Sequence, residues 1–248
     1  MSASAPDTVD AMMRGSFVVV QPREGHRAGM DSLVLASAVP TDASGLLVDL
    51  GAGSGTVAFG ALTRAPALRA ILVERDPDAA QRASSGLEHP ANAHLTGRVE
   101  MQGVRVEDAA ATLGDGGADY VVANPPFNDR ALQPSAQPGR ADAHGGEVET
   151  FAAWQHAALR LLRPGGTAAF ICRAAWWPHA AFGRGFGDVR LLPIHARDHN
   201  PASRIVVTAR KGRRTPPRIL PPLVLHRPDG TFTSRASAIF DGERGLFE

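Results

Sequence analysis

The sequence predicts an α/β fold: a seven-stranded sheet, mostly parallel with an antiparallel last strand, and helices on both faces. Three observations carry that expectation. Five apolar runs of strand length, at residues 46–50, 70–74, 99–103, 119–123 and 167–172, alternate with helical stretches, the pattern of parallel βαβ units. The first, second and fourth of these runs end on polar groups, Asp49, Glu74 and Asn124, and open α/β sheets bind their ligands beyond the carboxyl ends of the strands. Two further runs, 190–194 and 204–209, are too close together for a helical crossover and are expected to pair antiparallel at one edge.

At 248 residues and 44% hydrophobic content, the chain suffices for one large core, so a single domain over 16–248 is expected behind a mobile tail of residues 1–15. The one cysteine, Cys172, excludes an internal disulfide and a multi-Cys zinc site, which suits a reducing compartment. No basic start precedes an apolar run, and no apolar run nears the roughly 20 residues of a membrane span, so a soluble cytoplasmic protein is expected. A monomer is favoured. The net charge of +1 hides an asymmetry: residues 1–150 carry −8 (11 basic against 19 acidic), and residues 151–248 carry +9 (15 against 6). Only the second part looks built for polyanions.

Residues 17–20 read as a short strand leading through a loop into a helix at 33–36. Arg27, Asp31 and Ser32 near that helix start are candidates to hold the charged end of a small ligand; the plainer alternative is that Asp31 caps the helix. The run 46–50 then feeds Gly51-Ala52-Gly53-Ser54-Gly55 and a helix from Thr56, a strand, glycine turn and helix in which ligand atoms can touch the backbone. The spacing G-x-G-x-G, not G-x-G-x-x-G, argues for a cofactor without a diphosphate. Asp49 adds a carboxylate able to pair with an amine. Glu74 ends the second strand 19 residues after Gly55, where a carboxylate accepts from both hydroxyls of a ribose. A helix follows at 77–85 with Pro77 in its first turn.

After the third strand, Val104 stands where an acid for an adenine amino group is expected, leaving Glu107 or Asp108 as substitutes. The fourth strand runs into Asn124-Pro125-Pro126-Phe127. The prolines stiffen this turn and bias Asn124 toward an extended conformation. The Asn124 side-chain oxygen and the Pro125 carbonyl then both accept from one planar NH2, with Phe127 stacked on the ring that bears it. Residues 128–150, which include Arg130, Arg140 and His144, are expected to form a lid that orders on substrate binding, with a disordered insertion as the alternative. A helix at 151–162 closes on Arg163-Pro164-Gly165-Gly166. The three tryptophans, Trp154, Trp176 and Trp177, read as packing residues. Arg197, Arg204, Arg210, Lys211, Arg213, Arg214 and Arg218 crowd around a single acid, Asp198, like a phosphate-backbone groove, with solvated edge-strand charge as the alternative. Residues 223–226 and 231–233 look like a terminal hairpin in this basic region.

Taken together, these elements resemble the Rossmann-like class I S-adenosylmethionine-dependent methyltransferases. Within that superfamily, Gln21-Pro22 with Gly25-His26-Arg27 and residues 31–36 resembles the opening of the bacterial tRNA1(Val) adenine-N6 methyltransferase family. So do residues 124–129, Arg140 with His144, residues 201–204, Lys211-Gly212, and His226 with Asp229-Gly230-Thr231. The resemblance spans about 17–240. It implies S-adenosylmethionine held by Arg27, Asp31, Asp49, Gly51, Ala52, Gly53, Gly55, Glu74 and Asn124. It also implies a flipped adenosine, from the anticodon-loop region of a tRNA, gripped by Asn124 to Phe127. Substrate RNA is expected on Arg140, His144, Arg204, Arg210, Lys211, Arg213 and Arg214, and no metal is implied. The family more often ends its tetrapeptide in Tyr, so Phe127 retains the stacking face and lacks the hydroxyl.

An adenine amino nitrogen is a poor nucleophile because its lone pair is delocalised. Two acceptors at Asn124 draw it toward tetrahedral geometry, and in-line positioning against a sulfonium methyl supplies most of the acceleration. The target base must be unstacked to reach the turn. The same tetrapeptide serves enzymes that methylate guanine N2 in ribosomal RNA or a glutamine amide in a release factor, so these targets stay open. A dinucleotide-linked dehydrogenase is disfavoured by the glycine spacing, and a non-catalytic RNA-binding module leaves Gly51 to Gly55 and Glu74 without purpose.

Overall fold

The computed structural model describes residues 7–24, 27–125, 140–176 and 183–248, with residues 140–150 as backbone. The chain enters through a hairpin that the sequence reading assigned largely to a mobile tail. Strand β1 (Thr8–Met12) pairs antiparallel with β2 (Phe17–Gln21), Met12 opposite Phe17 and Thr8 opposite Gln21. Their connection needs left-handed backbone at three successive residues, Met13 (φ 47°), Arg14 (54°) and Gly15 (84°). Two of these are not glycine, and a composition-based reading has no signal for such a turn.

Helix α1 (Met30–Ala36) leads to the central sheet, whose strands are β3 (Gly45–Leu50), β4 (Leu68–Val73), β5 (Val99–Gln102), β6 (Ala118–Ala123), β7 (Leu162–Arg173), β8 (Phe186–His195), β9 (Ala202–Lys211), β10 (Arg218–Ile219) and β11 (Leu223–Val224). They lie in the order β10-β8-β9-β7-β6-β3-β4-β5, with β11 also on β8, nine strands among the described residues where seven were expected. Strands β3 to β7 run parallel. The antiparallel strand is β9, and it lies between β7 and β8 instead of at the edge. The short connection at 196–201 forces β8 and β9 to oppose each other, and β9 takes the place beside β7.

Helices α2 (Thr56–Arg64) and α3 (Pro77–Glu88) cross between the first parallel strands; the Asp76 side chain caps α3 by accepting from Asp78 N at 2.9 Å. One face of the sheet packs on α1, α2, α3 and the last helix, α6 (Ser234–Phe240). The other packs on α4 (Ala109–Leu113) and α5 (Arg140–Leu161) through Phe151, Trp154, Ala157 and Leu161. Helix α5 starts well before the expected residue 151, so the backbone of 140–150 in the proposed lid is helical; residues 126–139 lie outside the described residues. The Gly165-Gly166 turn sits inside a register shift of β7, where Ala118 pairs with Leu162 and Tyr120 with Thr167. The expected terminal hairpin is reduced to one antiparallel bridge, His226 to Phe232, before α6, whose Thr233 cap the sequence reading missed.

The hairpin is fixed to the body by Asn92, fully buried. Its side chain accepts from Val18 N (2.9 Å) and donates to Val18 O (2.8 Å) and Gly86 O (2.7 Å). Phe17 meets Phe59 of α2 edge-on, ring centroids 6.5 Å apart. Among the described residues no helix is long and apolar enough to cross a membrane.

Candidate functional site

Because β3 lies between β6 and β4, three polar strand ends converge at the carboxyl edge of the sheet. Beyond β3 the chain turns at once: Gly51 N and Ala52 N both donate to Val73 O of β4, at 2.8 and 3.1 Å. Gly51, Gly53 and Gly55 have φ of 66°, 56° and 81°, backbone that side-chain-bearing residues rarely adopt. Gly55 is the cap residue immediately before α2. The turn is locked from the side by Glu74, whose Oε2 accepts from Gly53 N (2.9 Å) and whose Oε1 accepts from Asp76 N (2.8 Å).

Asp49 lies beneath the turn, buried, with its Oδ2 accepting from Ala58 N at 3.1 Å. Burial pushes its carboxyl up to about 7, and the negative charge of Glu74 acts in the same direction against that hydrogen bond. The site therefore contains one carboxylate already engaged by backbone donors and a second acid poised to ionise near neutrality.

These groups line a cavity of about 600 Å³, within the range of small-molecule sites. Its walls are the glycine turn, residues 73–76, Val104 to Glu107, Gln21, Pro22, Ala28, Ser32, Asn124 and Trp154. Asp49, Gly51, Ala52, Gly53, Glu74 and Asn124 thus share one space, while Gly55 serves the turn from below. Pro125 is buried beside Asn124; Pro126 and Phe127 lie outside the described residues. Glu107 lines the cavity next to Val104, whereas Asp108 does not.

Arg27 and Asp31 are not among the lining residues. Arg27 pairs with Asp10 of β1 and donates to Pro22 O (2.7 Å), and Asp31 takes Arg204 Nε at 2.7 Å. Both fix the loop that borders the cavity. Of their neighbours, Ser32, expected with them as a ligand-holding candidate, does face the cavity, and so does Ala28, which has no functional signature in sequence. The sequence reading also missed Trp154, assigned there to packing. It packs, but against the turn itself: a Cβ built on Gly51 would stand 2.5 Å from the Trp154 Cη2.

The expected RNA-binding residues are not brought together. The side chains of Arg140 and His144 lie outside the described residues. Arg204 is opposite Arg173 at the end of β7, on the cavity's edge of the sheet. Arg210 is opposite Thr167 near the start of β7; its Nε donates to Gly165 O (3.2 Å), and Lys211 Nζ donates to Leu162 O (2.6 Å). Six residue steps along the strand separate Arg204 from Arg210, roughly 20 Å. Arg210 and Lys211, with the exposed Arg213 and Arg214 just beyond them, therefore lie at the edge opposite the cavity. The expectation of a single acid among these cations is corrected too, since Asp31 pairs with Arg204 and Asp188 with Arg218 and Arg190 (2.8 and 3.0 Å).

The donor set fits a nucleoside-bearing cation. A carboxylate has about four acceptor positions, of which the Glu74 carboxylate spends two on backbone N–H groups and retains the rest for paired hydroxyls. A Cβ at Gly53 would meet nothing within 4 Å, so the turn leaves room for a ligand to touch its backbone. Asp49 supplies a counter-charge for a cation.

Residues 27–196 match the family described as methyltransferase small domain. The chain is 29% identical over 224 residues, 88% of its length and 90% of the relative's, to the tRNA1(Val) (adenine(37)-N6)-methyltransferase of Aeromonas hydrophila subsp. hydrophila. It is similar to a crystal structure described as a predicted O-methyltransferase from Agrobacterium tumefaciens, with TM-score 0.74 and 28% identity over 87% of this chain and 97% of that one. It shares its fold with the T. thermophilus 16S rRNA N2 G1207 methyltransferase, at TM-score 0.58 and 20% identity over 84% of this chain and 51% of that one.

Proposed function

The chain belongs to the methyltransferase small domain family, and from that premise we propose that it moves a methyl group from S-adenosylmethionine to the exocyclic N6 of an adenosine in tRNA. The observation that carries this reading is that Asn124 opens onto the same cavity as the glycine turn and Glu74, so a planar amino group and a nucleoside-bearing donor meet in one space. The relative from Aeromonas hydrophila, matched over most of both chains, supports an adenine in tRNA over other amino-bearing targets.

Bound S-adenosylmethionine supplies an electrophilic methyl group on a positively charged sulfur. The chain's own residues bind, orient and exclude. Glu74 accepts from ribose hydroxyls, the backbone of Gly51 to Gly53 allows close approach, and ionised Asp49 balances positive charge. Asn124 Oδ1 and the Pro125 carbonyl take the two hydrogens of the target NH2 and hold its nitrogen still, so positioning and not a strong base accounts for the rate. The proton leaves toward Asn124 or water. Because a stacked base cannot enter, the target adenosine must be presented unstacked.

The test is incubation of the protein with labelled donor and total tRNA, followed by nucleoside analysis. N6-methyladenosine in a tRNA is expected; label in N2-methylguanosine, or no label in tRNA, would overturn the choice of target.

A further inference from the structure

We infer that the carboxyl edge of the sheet holds a track for single-stranded RNA, running from Asn124 past Arg204 and Arg197 to Arg227 and Phe232. The inference rests on the proposed RNA substrate and adds where the strand leaves the cavity.

The strand register sets the path. Asn124 directly follows β6; the next strand, β7, ends at Arg173, opposite Arg204 of β9; Arg204 is opposite Ile194 of β8; and Val224 of β11 is beside His195. Beyond these strands the backbone pairing continues, with Leu225 N on His195 O (2.9 Å) and His226 N on Ala196 O (3.0 Å). Arg197 and Arg227 therefore follow paired residues and emerge side by side at the same edge, both exposed. Neighbouring strands are about 4.8 Å apart, so the four steps from β6 to β11 cover on the order of 20 Å, a distance a few nucleotides span.

Phe232 terminates this row. It is 40% exposed, its ring stacked on His226 (centroids 4.8 Å, planes at 23°) and braced by Phe240 at 4.9 Å. An exposed aromatic flanked by arginines is the element on which unpaired bases stack while their phosphates are neutralised. Among the described residues, three acids near this edge are engaged: Asp31 by Arg204, Asp198 by His199, and Asp229 by the Thr231 N–H and hydroxyl. The basic group at Arg210 to Arg214 is at the far edge, where Phe186, paired with Lys211, is only partly exposed.

The experiment measures tRNA affinity against salt for the full chain, with donor affinity as the control for folding. Arg197→Gln with Arg227→Gln is expected to weaken tRNA binding about tenfold near physiological salt and to flatten the slope by about 1.4, two single-strand phosphate contacts. Phe232→Leu is expected to weaken binding about tenfold at unchanged slope, with Phe232→Tyr restoring it. Arg213→Gln with Arg214→Gln is expected to leave both quantities unchanged. Loss in that last variant, with the edge variants binding like the parent, overturns the track while leaving the methylation reading intact. A parent protein that modifies a protein amide and no RNA overturns both.

Discussion

The indole of Trp154 occupies the space a side chain on Gly51 would need, with Cη2 2.5 Å from the position of a Cβ there. One residue comes from the helix packed on the sheet and the other from the turn after β3, so the contact joins α5 to the floor of the cavity.

Gly51→Ala is therefore expected to cost more than Gly53→Ala, although both positions have positive φ. The left-handed backbone penalty, about 1–2 kcal/mol, applies to both. Only the first adds a collision with a ring held at 7% exposure. Chemical denaturation of the two variants checks the order, and calorimetry with the donor is expected to show the larger affinity loss for Gly51→Ala.

Asn124→Ala is expected to lower turnover by on the order of a hundredfold while donor affinity stays within a fewfold, because the proposed function puts Asn124 on the target amine and leaves the donor to Glu74 and the glycine turn. Steady-state kinetics beside direct donor titration separates the two; lost donor binding with turnover per bound donor preserved would falsify the assignment.

Asp49 gives a pH signature. Its folded pKa is raised from 3.8 to about 7, so the folded protein holds a proton there that the unfolded chain has released. The stability associated with the neutral acid is fully present below about pH 4 and is lost as pH rises through about 7, on the order of 4 kcal/mol in total. Asp49→Asn stays neutral throughout, so its stability relative to the parent is expected to grow between pH 5 and 8 in denaturant melts at fixed ionic strength. A cation bound nearby favours the ionised form, so donor binding near pH 7 is expected to release protons, measurable as a buffer-dependent heat.

Asn92→Ala leaves Val18 N–H, Val18 C=O and Gly86 C=O without their partner in a fully buried place. A loss of roughly 3 kcal/mol is expected, with the N-terminal hairpin exchanging its amide hydrogens first.

Local spacing made the strands, the glycine turn and the acids at 49 and 74 legible, since each is fixed by its own neighbours in the chain. Features set by partners distant in sequence were not. Strand β1 has no continuous apolar run and is a strand only because β2 lies beside it. Helix α5 begins before Gly145 and Gly146, residues that weaken helices and read as loop. The basic cluster was misgrouped because neighbours in sequence are not neighbours across a sheet: in β9, Arg204 and Arg210 point the charge to opposite edges. Trp154 showed no sign of its role, because nothing in a helical pattern reveals that one packing residue faces a turn about a hundred positions earlier.

The two backbone bonds to Glu74 have a kinetic consequence. A receptor latched in this way is assembled in advance of its guest, so capture of the donor is a single bimolecular encounter with no slow isomerisation behind it. Stopped-flow traces of tryptophan emission would then be single exponentials whose rate climbs linearly with ligand concentration, and any nucleoside that brings two vicinal hydroxyls to that carboxylate inherits the same fast entry.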